Sequence, residues 1–327
     1  MINRDIEFSM WLDFVERDYL KSEFPKLIEQ GVINGATSNP AIFASSITTS
    51  PAYAEQLALL DGKTPKQKYE ALAITDIKLA AKALRGCYDD DNDGYISIEV
   101  DPFLSNDIEG TVAEGIRLFE SIDEPNVMIK VPATEAGYRA MTELMSRGIS
   151  VNATLVFSQS QARKCLKAMS MALEGATTKV DGVISVFVSR FDRVLDAQLE
   201  QEAISPSKTG IYNAAKIYNI IEEEGDSRIR ALFASTGVKG DELKPDYYIR
   251  GLMAPHSINT APLATIESYI AKRQAKAVLP IDDIAIDGYF TKLSDSGFDI
   301  DEVSDKLMRD GLEAFEQAFE QMLESIK

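Results

Sequence analysis

The chain is poor in the residues that bind transition metals or form disulfides. It has two cysteines, Cys87 and Cys165, and one histidine, His256, among 327 residues. None of them stands at a zinc-like spacing, so a metal site built from His and Cys is not expected. Two cysteines make no disulfide framework, which points to a reducing compartment. Long apolar runs are missing too. Met1 to Met10 has no extended hydrophobic segment of a leader, and no stretch approaches the length of a membrane span. No G-x-G-x-x-G opens a helical pattern, which leaves a dinucleotide fold without support. Positive charge is in deficit: 34 basic against 52 acidic residues give a net charge of -18. That balance lacks the basic footprint of sequence-independent nucleic-acid binding. A small anionic substrate stays open to it, since one local basic pocket suffices. The expectation is a soluble cytoplasmic protein without nucleic-acid or membrane partners, working as a monomer or homodimer.

What is present is alternation. Short extended segments over 6–13, 32–40 and 95–102 are separated by helical patterns over 18–30 and from Thr64 to about Gly86. Thr64, Pro65 and Gln67 form a capping box with proline at the first helical position. The fourth extended segment holds Lys130. The fifth and sixth cover 149–157 and 183–190, the seventh 230–236, and a weaker eighth 248–254, interrupted by Arg250 and Gly251. Strands alternating with helices ask for parallel strands and crossover helices. Eight such units with no break in composition predict one closed (β/α)8 TIM barrel over 1–327, with a C-terminal helical extension at about 263–327. In that tail Val303, Leu307, Leu312, Phe315, Phe319, Met322 and Ile326 lie on one helix face, which predicts packing on the body.

The chemistry centres on Lys130 in Asn126-Val127-Met128-Ile129-Lys130-Val131-Pro132-Ala133-Thr134. Pro132 ends the extended run, and Thr134 can cap a helix through Tyr138, Met141 and Leu144. Lys130 then sits near the C-terminal end of a buried strand. Burying an ammonium costs hydration, which favours the neutral amine. A neutral amine can attack a carbonyl and form a Schiff base. A structural alternative is a lysine that snorkels or pairs with a buried carboxylate. Barrel active sites lie at the C-terminal strand ends, and Asp13, Thr37, Asn39, Glu99, Asn152, Thr154, Ser185, Arg190 and Ser235 all fall there with Lys130. Each alone could be a satisfied core group. Together they make a scheme: Lys130 attacks a ketose carbonyl, and Glu99 and Thr154 serve the dehydration through water. Asp13 takes the C4 hydroxyl proton. Asn39 and Asn152 hold a three-carbon fragment, and Arg190 clamps a phosphate.

These residues carry a resemblance. Ile129-Lys130-Val131-Pro132-Ala133-Thr134, Gly35 to Phe43, Ile98 to Pro102, Val151 to Ser158 and Ala234 to Lys239 resemble the motifs of transaldolases, in order and over nearly the whole chain. The resemblance implies a (β/α)8 barrel with the Schiff-base lysine on the fourth strand. It implies transfer of a dihydroxyacetone unit between sugar phosphates in the pentose phosphate pathway, with no metal or organic cofactor. Donors would be sedoheptulose 7-phosphate and fructose 6-phosphate; acceptors would be glyceraldehyde 3-phosphate and erythrose 4-phosphate. By resemblance Lys130 is the nucleophile, Asp13 the acid/base, and Glu99 with Thr154 handle the catalytic water. Thr37, Asn39, Asn152 and Ser185 contact the dihydroxyacetone part, and Arg190 with Ser235 binds phosphate. Some transaldolases place an arginine two residues after that serine; here the position is Gly237, and Lys239 is the candidate for the missing charge. Phe187 stands where plain aldolases of the family tend to carry tyrosine, which favours transfer over simple cleavage.

Two other features compete. Asp89-Asp90-Asp91-Asn92-Asp93-Gly94 imitates the start of an EF-hand loop, which would suit a calcium-responsive binding protein. Position twelve is Val100 rather than glutamate, so the expectation is a solvated acidic turn. His256, placed after the expected eighth strand near the barrel mouth, lacks a G-x-S-x-G partner and reads as a loop residue.

Overall fold

A strand buried on both faces can be short and still hold, provided helices cover its outer side. The computed structural model describes residues 4–271 and 276–327; the first three residues of the N-terminal stretch read above lie outside them. The order begins β1 (Ser9–Asp13), α1 (Arg17–Glu29), β2 (Gly35–Thr37), α2 (Pro40–Thr49), α3 (Ala54–Leu59) and α4 (Pro65–Asp89). It continues through β3 (Ile96–Glu99), α5 (Ile108–Ile122), β4 (Val127–Pro132), α6 (Glu135–Ser146), β5 (Val151–Val156) and α7 (Gln159–Leu173). Next come β6 (Gly182–Phe187), α8 (Ser189–Gln201), α9 (Thr209–Glu224), β7 (Ile229–Ala234), α10 (Tyr247–Gly251) and β8 (Ile258–Ala261). Three further helices follow: α11 (Leu263–Ala271), α12 (Asp283–Asp295) and α13 (Ile300–Ser325). Each strand pairs in parallel with the next and β8 pairs with β1, so the sheet closes into the expected (β/α)8 barrel with added C-terminal helices. No helix among the described residues is long and apolar enough to cross a membrane.

Side chains two apart on a strand share a face. On β1, β4 and β6 that pairs Trp11 with Asp13, Met128 with Lys130, and Val183 with Ser185. Trp11, Met128 and Val183 belong to one buried cluster with Leu232 and Ile258, which fills the lower barrel. The polar residues stand one layer higher, at the C-terminal ends. Gly35 makes room for this packing, since a Cβ there would lie 2.4 Å from Trp11 Nε1.

Three expectations are corrected. The segment over 248–254 is not the eighth strand; its aromatic and β-branched start forms the short helix α10, and the strand is Ile258–Ala261. His256 consequently precedes β8 and lies at the N-terminal mouth, where its ring nitrogens meet Glu222 Oε1 (3.1 Å) and the Ser227 carbonyl (3.0 Å). Arg190 is not on the sixth strand, which stops at Phe187; it belongs to the first turn of α8.

The acidic turn is more than a solvated loop. Asp93 accepts from the Trp11 indole (2.9 Å) and pairs with Arg230, so its carboxylate closes the barrel floor. Asp91 pairs with Lys179 at 2.6 Å. Asp89 is still the last residue of α4, so the run cannot wrap one cation, and no cluster of three or more metal-ligating side chains occurs among the described residues. A cavity of about 460 Å³ opens at this mouth. Its Lys179, Arg228, Arg230 and His256 are already engaged by neighbouring acidic groups.

Candidate active site

The opposite mouth holds a cavity of about 130 Å³. Asp13 of β1, Thr37 of β2, Lys130 of β4, and Ser185 and Phe187 of β6 line it, with Asn39, Arg190 and Ser235 from the segments after the strands. Strand register accounts for the gathering. Glu99, Lys130 and Asn152 are aligned partners on β3, β4 and β5, and Asp13 is aligned with Thr37.

Lys130 is 5% exposed. Its Nζ donates to the Ser38 carbonyl (3.2 Å) and lies 3.5 Å from Glu99 Oε2. Glu99 is buried and, apart from that ion pair, Oε2 has no hydrogen-bond partner in the protein; neither has the buried Thr154 Oγ1. Burial pushes the Glu99 carboxyl up to about 7, against the pull of Lys130 and with a smaller push from Asp13. Burial also raises the Asp13 carboxyl, opposed by Lys130 and by the Thr37 hydrogen bond. Thr37 Oγ1 donates to Asp13 Oδ1 at 2.7 Å. Its single proton is thereby used, so Thr260 is the donor in the 2.7 Å contact between the two threonines.

The raised Glu99 value has a consequence for stability. Between its unfolded value near 4.5 and about 7 the folded state holds a proton that the unfolded chain has released. Stability therefore falls as pH rises through that window. Glu99→Gln stays neutral throughout, so wild type should lose up to about 3 kcal/mol relative to it between pH 4.5 and 7.5. Urea midpoints at the two pH values measure this; parallel curves would reject the shift.

Asn152 does not line the cavity. It lies behind Ser185, whose Oγ donates to Asn152 Oδ1 at 2.6 Å, while its amide donates to Ser97 Oγ at 3.2 Å. Asn39 has a second task, capping α2 through the Ile42 N–H (3.0 Å). The Arg190 guanidinium stacks 5.0 Å from the Phe187 ring centre. Lys239 is exposed and lines a separate neighbouring cavity of about 300 Å³. Lys239 does not line the active cavity with Arg190 and Ser235.

Three lining residues were not singled out as site residues in the sequence, among them Ala234 at the end of β7. Thr260 was hidden by the misplaced eighth strand. Phe315, on α13, roofs the cavity with its ring centre 5.8 Å from Lys130 Nζ. Its helical spacing to Leu312 and Phe319 gave only a packing signal. The helix comes this close because Gly311 packs against Leu155 and Arg190, where a Cβ would be 2.9 and 3.1 Å from their side chains.

A buried amine between two carboxyls, beside an arginine and several hydroxyls, can form an imine with a polyhydroxylated carbonyl compound and move protons around it. Residues 10–326 match the family model described as transaldolase/fructose-6-phosphate aldolase. A transaldolase of Helicobacter pylori (strain Shi470) is 43% identical over 320 residues, 98% of this chain and 99% of the relative. A transaldolase of Campylobacter jejuni (serotype O:23/36, strain 81-176) is 44% identical over 332 residues, with the same shares covered.

Proposed function

Because the chain belongs to the transaldolase/fructose-6-phosphate aldolase family, we propose that it is a Schiff-base transaldolase acting on sugar phosphates, with the cavity around Lys130 as its active site. The observation that carries this assignment is the placement of one buried lysine amine in the cavity at the C-terminal mouth, with Glu99 on the neighbouring strand and Asp13 across the barrel.

The Lys130 amine adds to C2 of a ketose phosphate, sedoheptulose 7-phosphate or fructose 6-phosphate. The carbinolamine hydroxyl leaves as water, with the proton delivered from Glu99 through a water that Thr154 orients. Asp13 then takes the proton of the C4 hydroxyl. The C3–C4 bond breaks, its electron pair moves into the iminium to give an enamine, and an aldose phosphate departs. The enamine carbon attacks the aldehyde of glyceraldehyde 3-phosphate or erythrose 4-phosphate, and Asp13 returns its proton to the new alkoxide. Water, activated by Glu99, releases the product and restores Lys130. Thr37, Asn39 and Ser185 hold the dihydroxyacetone hydroxyls, Asn152 orients Ser185 from behind, and Arg190 with Ser235 receives the phosphate. Every step is carried by side chains.

The setting we assign is cytoplasmic, in a single barrel domain with its helical extension, as monomer or homodimer. Free thiols at Cys87 and Cys165 and the net charge of -18 support it. The test is borohydride trapping with fructose 6-phosphate, read by intact mass and peptide mapping, beside an unreduced sample that receives erythrose 4-phosphate. A dihydroxyacetone-sized adduct on Lys130 in the reduced sample, and discharge of the unreduced intermediate into sedoheptulose 7-phosphate, are the expected results. No adduct on the folded protein would reject the mechanism; an adduct released only as free dihydroxyacetone would make it an aldolase.

A further inference from the structure

We infer that Arg193 is the second cation of the phosphate clamp, acting with Arg190 and Ser235, and that this pair selects phosphorylated over unphosphorylated sugars. The inference rests on the transaldolase reading and deepens it.

Arg190 and Arg193 lie three residues apart near the start of α8, on one face of the helix. Two like charges at that spacing repel, and cations are disfavoured near a helix N-terminus. The repulsion registers on Arg190: after burial, the charge of Arg193 is the next largest influence lowering its pKa. Neither guanidinium forms an ion pair among the described residues. Asp310 is the carboxylate that acts on Arg190, while Arg193 lines the neighbouring cavity with Asp192, Asp196, Glu200 and Glu242 and pairs with none of them. Several other surface arginines of this acidic chain are matched, as Arg117 is by Glu70 and Arg147 by Glu143. An arrangement that costs stability when empty is relieved by an anion between the two guanidinium groups.

The geometry also says where that anion sits. Arg193 Nη2 donates to Ser235 Oγ and to Ser189 Oγ, both at 3.2 Å. Its Nε reaches the Ser189 carbonyl at 3.3 Å. Ser235 lines the active cavity and is held at a φ of 55°, in the left-handed region that non-glycine residues rarely occupy. The two serine hydroxyls also lie 3.2 Å apart and share one proton between them, so the other is available to a phosphate oxygen. Arg193 is exposed and lines the neighbouring cavity that also holds Lys239, while Arg190 is half-buried in the active cavity; Arg193 reaches the active cavity through Ser235, so one cation stands at the rim and one inside. Lys239, the sequence-based candidate, makes neither serine contact.

The test compares wild type, Arg193→Ala, Arg193→Lys and Lys239→Ala for kcat/KM with erythrose 4-phosphate and with D-erythrose as acceptors. Arg193→Ala should cut the preference for the phosphorylated acceptor about 10- to 100-fold, the size of one or two lost charge-assisted hydrogen bonds. The loss should fall on KM. Arg193→Lys should fall between, keeping charge without the planar fork. A second readout needs no turnover: inorganic phosphate should raise the melting temperature of wild type and not that of Arg193→Ala. Equal losses with both acceptors, an unchanged preference, or a loss found in Lys239→Ala instead would overturn the inference. Failure of the transaldolase reading looks different: wild type itself would transfer nothing, while the phosphate-dependent melting shift would persist.

Discussion

Replacement of Lys130 by methionine is expected to lower kcat for transfer by on the order of 10⁴-fold or more, with the protein still folded. Lys130 carries the one primary amine among the described residues that line the cavity. Arg190, the other cation there, keeps its proton and is no nucleophile. Methionine has nearly the length of lysine and no charge, so it occupies the slot beneath Phe315 without an ammonium to desolvate. Glu99, left without its partner, is already biased by burial towards the neutral acid, which limits the damage to the fold. Circular dichroism and the melting temperature establish that the variant is native. Transfer from fructose 6-phosphate to erythrose 4-phosphate then measures the loss. Turnover within tenfold of wild type in a native variant would remove Lys130 from the chemistry.

Asp13→Asn should separate the two halves of the reaction. Removing a positioned base costs about 10²- to 10⁴-fold in the step it serves. That step is C3–C4 cleavage, so transfer should fall by this factor while borohydride still traps the ketose on Lys130. Asparagine keeps the shape of the side chain and can still accept the Thr37 hydroxyl, so the wall of β1 and β2 is preserved. The trapped species changes accordingly, from a three-carbon adduct in wild type to the intact sugar phosphate in the variant, a difference that mass spectrometry resolves directly. A three-carbon adduct formed at the wild-type rate would show that another group takes the C4 proton.

How much of this was readable beforehand depends on what each element has to satisfy. β4 was plain because one lysine interrupts an apolar run that proline then ends. The long helix α4 was plain because Thr64, Pro65 and Gln67 meet the backbone needs of its first turn, and the capping box is present. β8 was missed because its four residues, Ile-Asn-Thr-Ala, have no apolar periodicity. Thr236 Oγ1 donates to Asn259 Oδ1 at 2.9 Å, a tertiary partner that local pattern cannot reveal. The helices α2 and α8 were hidden for a related reason, since Ser, Thr and charged residues fill much of their length. Asp93 read as solvent-facing because its partners, Trp11 and Arg230, are far away in sequence and meet it only when the barrel closes. The strand-borne site residues were legible because polar groups are costly at buried strand ends. Arg193 and Phe315 were not, since an arginine or a phenylalanine on an amphipathic helix is unremarkable until the opposing surface is known.

The position of Phe315 gives the site a relation to time as well as space. Translation delivers the strand-borne groups before α13, so the cavity walls exist in the chain before Phe315 can cover them. Until α13 docks, Lys130 lacks the aromatic ring that stands 5.8 Å above its amine, so the order of synthesis leaves an interval in which the cavity is uncovered.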